Sequence, residues 1–418
     1  MNRFTLKIGL AAAAIAAAAP ASATNGMRMI GFGPVQDSMG GASVAAPLDA
    51  TTVVTNPAGL SALEQRFDLS GTAFMPSVDY DAAWTMDGVN MNSAGQGSDR
   101  PTDLIPTLAA VYRVQDKITL GFAALGTAGM GVSYEASQSE GLYMSRTYTN
   151  YVNMRFAPGA SYRLSDALSV GLAANVQYAM MSFEAGGMHP RDRVGALGLG
   201  ATLGLTYKVA EQLTLAAAYE SKSFFQNYEF DIPSHQVMTP TGPQTVPGGT
   251  DELDFDQPQV ATIGVAARPI EGLLVAIDAQ WINWSDTNGL DEPTFENDTN
   301  QTGGRPWNLD WSDQMVFKIG AQVDVPAVKG LKARVGYNYG ANPLNEDRAF
   351  ENIAFPAVSE HHFTVGAGYD AGKLSVNVAA LYSPEATLKG SNPMEQGIVA
   401  YESRMSQLLF DVGVAYRY

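Results

Sequence analysis

The chain carries four histidines, His189, His235, His361 and His362, and no cysteine. None of the histidines stands at zinc-ligand spacing, and without thiolates a structural zinc site lacks its usual donors. His361 and His362 are adjacent, so in a strand they would point to opposite faces. No G-x-S-x-G elbow, phosphate loop or dinucleotide fingerprint is present. A serine and a histidine brought together from separate strands could still form a hydrolytic pair. The acidic run L-D-E-P-T-F-E-N-D-T-N at 290–300 could hold calcium, but it lacks EF-hand spacing and reads as a solvated loop. The expectation is no enzyme, no metal and no cofactor.

The elements that could position any other chemistry begin after an export signal. Arg3 and Lys7 precede an apolar run at 8–19, followed by P-A-S-A, so residues 1–23 read as a cleaved signal peptide and the mature chain as starting at Thr24. The run is too short to span a bilayer, and no later stretch reaches about 18 consecutive apolar residues. With 42 acidic and 25 basic residues the net charge is −17, and losing Arg3 and Lys7 makes it −19. Phosphate backbones need clustered Lys and Arg, so nucleic acid is not an expected partner.

From about residue 66 onward one texture repeats. In Q-L-L-F-D-V-G-V-A-Y-R-Y, Leu408, Phe410, Val412, Val414, Tyr416 and Tyr418 share one face of a strand, and Gln407, Asp411, Gly413 and Arg417 share the other. Leu197, Leu199, Leu203, Leu205 and Tyr207 likewise oppose Gly198, Gly200, Thr202, Gly204 and Thr206. Sandwich strands also alternate but are commonly about 5–6 residues long. Runs of about ten that end in Tyr suit transmembrane strands with an aromatic girdle. Backbone in lipid must be paired, so such strands close into a barrel. Short polar connections near residues 115–117, 165–167, 209–212, 269–272, 326–330 and 370–373 alternate with long loops such as 231–254, 285–310 and 342–356. Six short turns plus two chain ends on one side give seven hairpins. The predicted fold is all-β, a transmembrane antiparallel barrel of about 14 strands over 66–418.

Residues 24–65 do not alternate. They are rich in Gly and Ala, with scattered Met, Val and Leu. Some forty residues cannot build a stable core alone, and a barrel of fourteen strands is too wide to be filled by its own wall side chains. The segment is predicted to plug the lumen. Within it T-N-P-A-G-L is a stiff turn: Pro57 fixes its own backbone and steers Asn56 away from the helical region, and Gly59 permits the bend that follows.

The stretch G-F-G-P-V-Q-D-S-M-G-G-A-S-V-A-A-P-L-D-A-T-T-V-V-T-N-P-A-G-L resembles the N-terminal hatch of the FadL/TodX family of outer-membrane transport proteins. R-V-G-Y-N-Y-G-A-N-P-L at 334–344, F-P-A-V-S-E-H-H-F-T-V-G-A-G-Y at 355–369 and W-I-N-W-S-D at 281–286 fit the same family. The resemblance covers essentially the whole mature chain and implies a fourteen-stranded barrel with a hatch, in the outer membrane of a Gram-negative bacterium. It implies passive uptake of hydrophobic molecules, long-chain fatty acids in one branch and aromatic hydrocarbons in another. It also implies that Asn56, Pro57 and Ala58 form a hatch motif used in transport, and that cargo leaves sideways near a kinked third strand. In this sequence that strand is I-T-L-G-F-A-A-L-G-T-A-G-M-G-V, where Gly126, Gly129 and Gly131 could kink it or simply let strands pack closely.

Apolar residues on the lumen-facing register are candidate pocket walls: Leu274, Ile282, Trp284, Val316 and Leu409. Met27, Met29, Ile30, Phe32 and Met39 of the hatch could complete the pocket, methionine being adaptable in shape. A fatty-acid carboxylate would favour a lumen cation, for which Arg155, Lys318 and Arg334 are candidates. Each could instead pair with a lumen acid such as Asp324 or Asp411. The expected partners are a hydrophobic small molecule and outer-membrane lipid and lipopolysaccharide, and the expected state is a monomer. An adhesive barrel binding partners through its acidic loops is the alternative from another class.

Overall fold

A computed structural model describes residues 25–86, 89–100, 102–135, 146–184, 191–239, 242–287, 295–296, 309–390 and 398–418. The signal segment 1–23 lies outside the described residues, as does most of the acidic run at 290–300. Fourteen long strands make the wall: β1 (Arg66–Met86), β2 (Asp103–Gln115), β3 (Ile118–Tyr134), β4 (Thr147–Arg163), β5 (Leu168–Glu184), β6 (Arg191–Ala210) and β7 (Leu213–Glu220). They continue with β8 (Val260–Ala267), β9 (Leu273–Ile282), β10 (Gln314–Asp324), β11 (Leu331–Gly340), β12 (His361–Ala371), β13 (Leu374–Gly390) and β14 (Ile398–Arg417). Each pairs antiparallel with the next. β1 pairs with both β2 and β14, so the sheet closes on itself. Closure pairs both edges of the sheet, and the gap in the ladder between β2 and β3 is met by the hatch.

The alternation in the sequence becomes the two surfaces of the wall. Leu199, Leu203 and Val412 are exposed, whereas Thr202 and Asp411 on the opposite register are buried. Tyr112, Tyr162, Tyr207, Tyr369, Tyr416 and Tyr418 lie exposed near the short-turn ends of their strands, forming one aromatic girdle. The long loops add small sheets of their own at the opposite end. Tyr228–Ile232, Gly249–Leu253 and Phe295–Glu296 form one, and His235–Thr239 pairs with Gly242–Val246.

Inside the wall sits the hatch. It has only two one-turn helices, α1 (Pro34–Asp37) and α2 (Thr52–Thr55), and a 3-10 turn at Pro57–Ala62. So little regular structure leaves most backbone groups to find partners elsewhere, and the wall supplies several. Gly40 shows the closeness of fit. It has a φ of 64°, and a methyl group there would lie 2.7 Å from the Tyr337 backbone nitrogen.

Candidate functional site

Asn56 is fully buried and joins three parts of the molecule. Its Oδ1 accepts from the Ala58 N–H at 3.1 Å and so caps the 3-10 turn that Pro57 begins. Its Nδ2 donates to the Val44 carbonyl of the hatch at 2.9 Å and to the Leu205 carbonyl of β6 at 3.3 Å. Asn-Pro-Ala lies against Gly171 of β5 and Gly204 of β6, where an added methyl would meet the Ala58 nitrogen at 2.2 Å and the Asn56 Oδ1 at 2.0 Å. The wall glycines on the small face of these strands are therefore the seat of the hatch turn.

The ten apolar candidates do not form one pocket. Met27, Ile282, Trp284 and Val316 join a large cluster toward the long loops. It is rich in aromatic rings, with edge contacts between Trp284 and Trp311 at 5.1 Å, Tyr151 and Phe255 at 5.1 Å, and Tyr80 and Tyr134 at 4.8 Å. Met29, Ile30, Phe32 and Leu409 pack in a second cluster with Phe74, Leu125 and Leu381. Met39 and Leu274 belong to a third, lined mainly by alanine.

A belt of buried polar side chains separates the first cluster from the other two. Along β4, Asn153 and Arg155 stand between Tyr151 of the upper cluster and Ala157 of the second. Along β5, Gln177 and Asn175 stand between Ala179 and Ala173. Thr262 on β8 and Asp278 on β9 separate Val260 and Ile282 from Ala266 and Ala276. Ser383 on β13 and Gln407 on β14 separate Leu388 and Met405 from Leu381 and Leu409. Alternation cannot show this, because the belt is a change in character along the inward face of each strand.

The belt has a charged sector. Glu220, at the end of β7, accepts from Arg28 of the hatch at 2.9 and 3.2 Å and from Arg155 of β4 at 2.5 Å. Two buried guanidiniums thus share one carboxylate, and Nε and Nη1 of Arg155 have no hydrogen-bond partner. Nearby, Lys318 Nζ donates to the Ile30 carbonyl at 3.1 Å, and Asp278 accepts from the Ser43 and Val44 N–H groups at 2.8 and 3.0 Å. A cavity of about 40 Å³ lies between this sector and the hatch, reached by Arg28, Glu220, Lys318, Ile30 and Val54. It has room for a few waters but not for an alkyl chain. A shallow trough of about 490 Å³ beside Leu203, Tyr219 and Trp281 lies on the outer wall and faces lipid rather than the lumen.

Of the three cations singled out, Arg155 and Lys318 lie in the belt. Arg334 does not. It lies toward the short turns, where it donates to Gln322 at 2.8 Å and Asn377 at 3.0 Å. Arg28 and Glu220 carried no signal in the sequence. Arg28 sits in an irregular segment, and Glu220 ends a strand whose partner loop hides its facing.

The third strand parts from the second but stays paired with the fourth along its length. β2 and β3 pair from Gln115–Ile118 only as far as Thr107–Leu125, and from Ala123 to Tyr134 every residue of β3 is buried, on both faces. A bulge at Thr127 falls between Gly126 and Ala128. Beyond it the hatch supplies the missing partner, Met29 N–H donating to the Thr127 carbonyl at 3.2 Å and Gly129 N–H to the Met27 carbonyl at 3.0 Å. A methyl on Gly126 would meet Ile105, and one on Gly131 would collide with the Arg100 guanidinium. Arg100 in turn donates to the Thr149 carbonyl at 3.0 Å and helps cover the interruption.

Two hatch carboxyls sit in unfavourable surroundings. Burial, with the nearby Asp68, pushes Asp49 up to about 6 against hydrogen bonds from Thr51 and Gln36. Burial, followed by Asp411 and Asp49, holds Asp37 well above the usual carboxylate range.

The family model described as "Outer membrane protein transport protein (OMPP1/FadL/TodX)" matches residues 10–418. Outer membrane protein P1 of Haemophilus influenzae is 21% identical over 385 residues, 80% of each chain. The 47 kDa outer membrane protein of Pasteurella multocida is 23% identical over 409 residues, 88% of each. Among solved structures, the toluene transporter TodX of P. putida superposes with a TM-score of 0.73 at 19% identity, covering 93% of this chain and 99% of its own. A Pseudomonas aeruginosa FadL homologue gives 0.74 at 14% identity, covering 94% and 99%.

Proposed function

This chain belongs to the OMPP1/FadL/TodX family of outer-membrane transport proteins, and from that premise we propose that it admits hydrophobic molecules passively, long-chain fatty acids first among them. The observation that carries the reading is the apolar, aromatic cluster standing on a polar belt beside an interrupted wall ladder. Each CH₂ taken from water into such a cluster gains about 0.8 kcal/mol. Met27, Met130, Met181 and Met405 give the packed cluster side chains that re-form around a guest. A carboxylate at the floor of the cluster would find donors in the unpartnered Nε and Nη1 of Arg155.

The belt then opposes passage straight down. An apolar chain crossing it would separate buried polar groups from one another, at about 1–3 kcal/mol for each group left unpaired. The sideways path needs residues 27–29 of the hatch to release the edge of β3, which breaks two backbone hydrogen bonds and draws Arg28 away from Glu220. Cargo captured above the belt exits there into the membrane. The protein works as a monomer, surrounded by outer-membrane lipid and lipopolysaccharide.

The aromatic lining also favours a second reading, in which the cargo is a monoaromatic hydrocarbon and needs no cation. Uptake of a labelled long-chain fatty acid and a labelled monoaromatic, in a host lacking its own hydrophobic-compound transporter, separates the two. Arg155→Ala leaves Arg28 and Glu220 as a neutral pair. It should lower fatty-acid uptake at least tenfold and leave aromatic uptake unchanged. Entry of neither compound above the empty-vector rate would remove both readings.

A further inference from the structure

The polar belt has a second sector that carries no Lys, Arg, Asp or Glu. Asn338 on β11 and His362 on β12 are paired in register, and so are Ser383 on β13 and Gln407 on β14. Ser383 faces His362 one residue beyond the Phe363–Tyr382 pair. All four are at most 2% exposed, and all four face the lumen. Neighbours across a ladder lie about 5 Å apart, so an amide, an imidazole, a hydroxyl and a second amide form one continuous polar patch.

The charged sector is largely occupied by its own ion pairs and by the hatch, but this one is not. Asn338 Oδ1, Ser383 Oγ and Gln407 Oε1 have no hydrogen-bond partner, and neither ring nitrogen of His362 completes a hydrogen bond, though the Asn338 backbone stands beside it. Asn338 makes one long contact to the hatch, from Nδ2 to the Gly40 carbonyl at 3.5 Å. Gln407 Nε2 reaches only the Met405 sulfur, at 3.6 Å. Buried polar groups are normally paired, and a cluster that is not paired points to a ligand or to water. Apolar residues of the upper cluster follow the patch along the chain toward the long loops. Met405 is two residues from Gln407, Val358 four from His362 and Leu388 five from Ser383.

We propose that Asn338, His362, Ser383 and Gln407 form a headgroup subsite for amphiphiles with a neutral hydrogen-bonding group, such as a hydroxyl, whose apolar tail lies in the upper cluster. The proposal rests on the reading of that cluster as the capture site. The floor of the pocket then has two sectors, one suited to a carboxylate through Arg155 and one suited to a hydroxyl, which can both donate and accept. A site of buried unpaired polar groups discriminates strongly against a ligand that lacks the matching group.

The test uses the full mature protein in lipid nanodiscs, equilibrated with equal amounts of dodecanol, dodecanoate and dodecane. Bound ligand is counted by mass spectrometry against empty nanodiscs. The wild type should hold dodecanol at least tenfold over dodecane. Ser383→Ala with Gln407→Leu should lower that ratio at least fivefold and leave the dodecanoate to dodecane ratio unchanged, while Arg155→Ala should do the converse. Thermal midpoints of the variants report folding. A double variant that folds and keeps the wild-type alcohol ratio overturns the subsite, because water alone then fills the sector. A wild type that holds dodecanoate but no excess of dodecanol overturns it as well. A wild type that holds none of the three removes the capture reading itself, and the subsite with it.

Discussion

Gly204 on the wall and Asn56 in the hatch fit together so closely that a methyl group on the glycine would stand 2.0 Å from the asparagine Oδ1. The same oxygen caps the turn and the same side chain reaches the β6 backbone. The position of the hatch is therefore tied to the absence of a side chain on the wall.

Gly204→Ala should loosen the hatch and spare the barrel. Overpacking of this kind costs about 1–3 kcal/mol. Hydrogen exchange across residues 50–62 should quicken while the strands stay protected. Gly71→Ala, where an added methyl meets nothing within 4 Å, is the control. Equal exchange in the two variants would mean that the glycine seat does not hold the hatch.

Asn56→Asp separates the two roles of this side chain. A carboxylate keeps the cap on Ala58 but loses both donors, to Val44 and Leu205, and faces their carbonyls with negative charge. Loss of the charge-free bridge should cost about 1–3 kcal/mol of hatch docking, and uptake should fall as far as in Asn56→Ala. Wild-type uptake in Asn56→Asp would show that capping alone matters.

Glu220→Gln leaves Arg28 and Arg155 buried without their shared carboxylate. Removing one partner of a buried ion group costs about 3–5 kcal/mol, whereas replacing all members with apolar residues is often neutral. The thermal midpoint should fall in Glu220→Gln and recover in a triple variant with Arg28→Met, Arg155→Met and Glu220→Leu. An unchanged midpoint in the single variant argues against a structural role for the cluster.

Hatch docking should strengthen as the pH falls through about 6. Asp49 has its pKa raised in the folded state, above the ordinary value of 3.8. The docked form then binds the proton more tightly, and its advantage is fully present below 3.8 and lost as pH rises through about 6. Two units correspond to about 3 kcal/mol. Protease resistance of the hatch should be greater at pH 5 than at pH 7.5, and Asp49→Asn together with Asp37→Asn should remove most of the difference, because burial raises both carboxyls in the same direction. The opposite slope would contradict the placement of this carboxyl.

Period-two alternation gave the wall its strands, its lipid face and its girdle, because a strand in a membrane must show one apolar face whatever its neighbours are. The six short turns gave the strand count. His361 and His362 do face opposite ways, the first exposed and the second buried. Asn-Pro-Ala could be read as a rigid turn from its own stereochemistry. Leu409, Leu274 and Trp284 could be read as inward-facing, but not as members of three separate clusters.

What this sequence determines by itself is local: which residues face lipid, where the chain turns, and which segment cannot stand alone. What only the tertiary structure decides is which inward residues share a level. That depends on strand register and on the tilt that carries each register row around the barrel. Gln407 and His362 lie 45 residues apart in the chain and two strands apart in the wall, and nothing in either neighbourhood names the other. The polar belt, the Arg28–Glu220–Arg155 cluster and the hatch residues that complete β3 all arise from closure of the wall around an irregular segment.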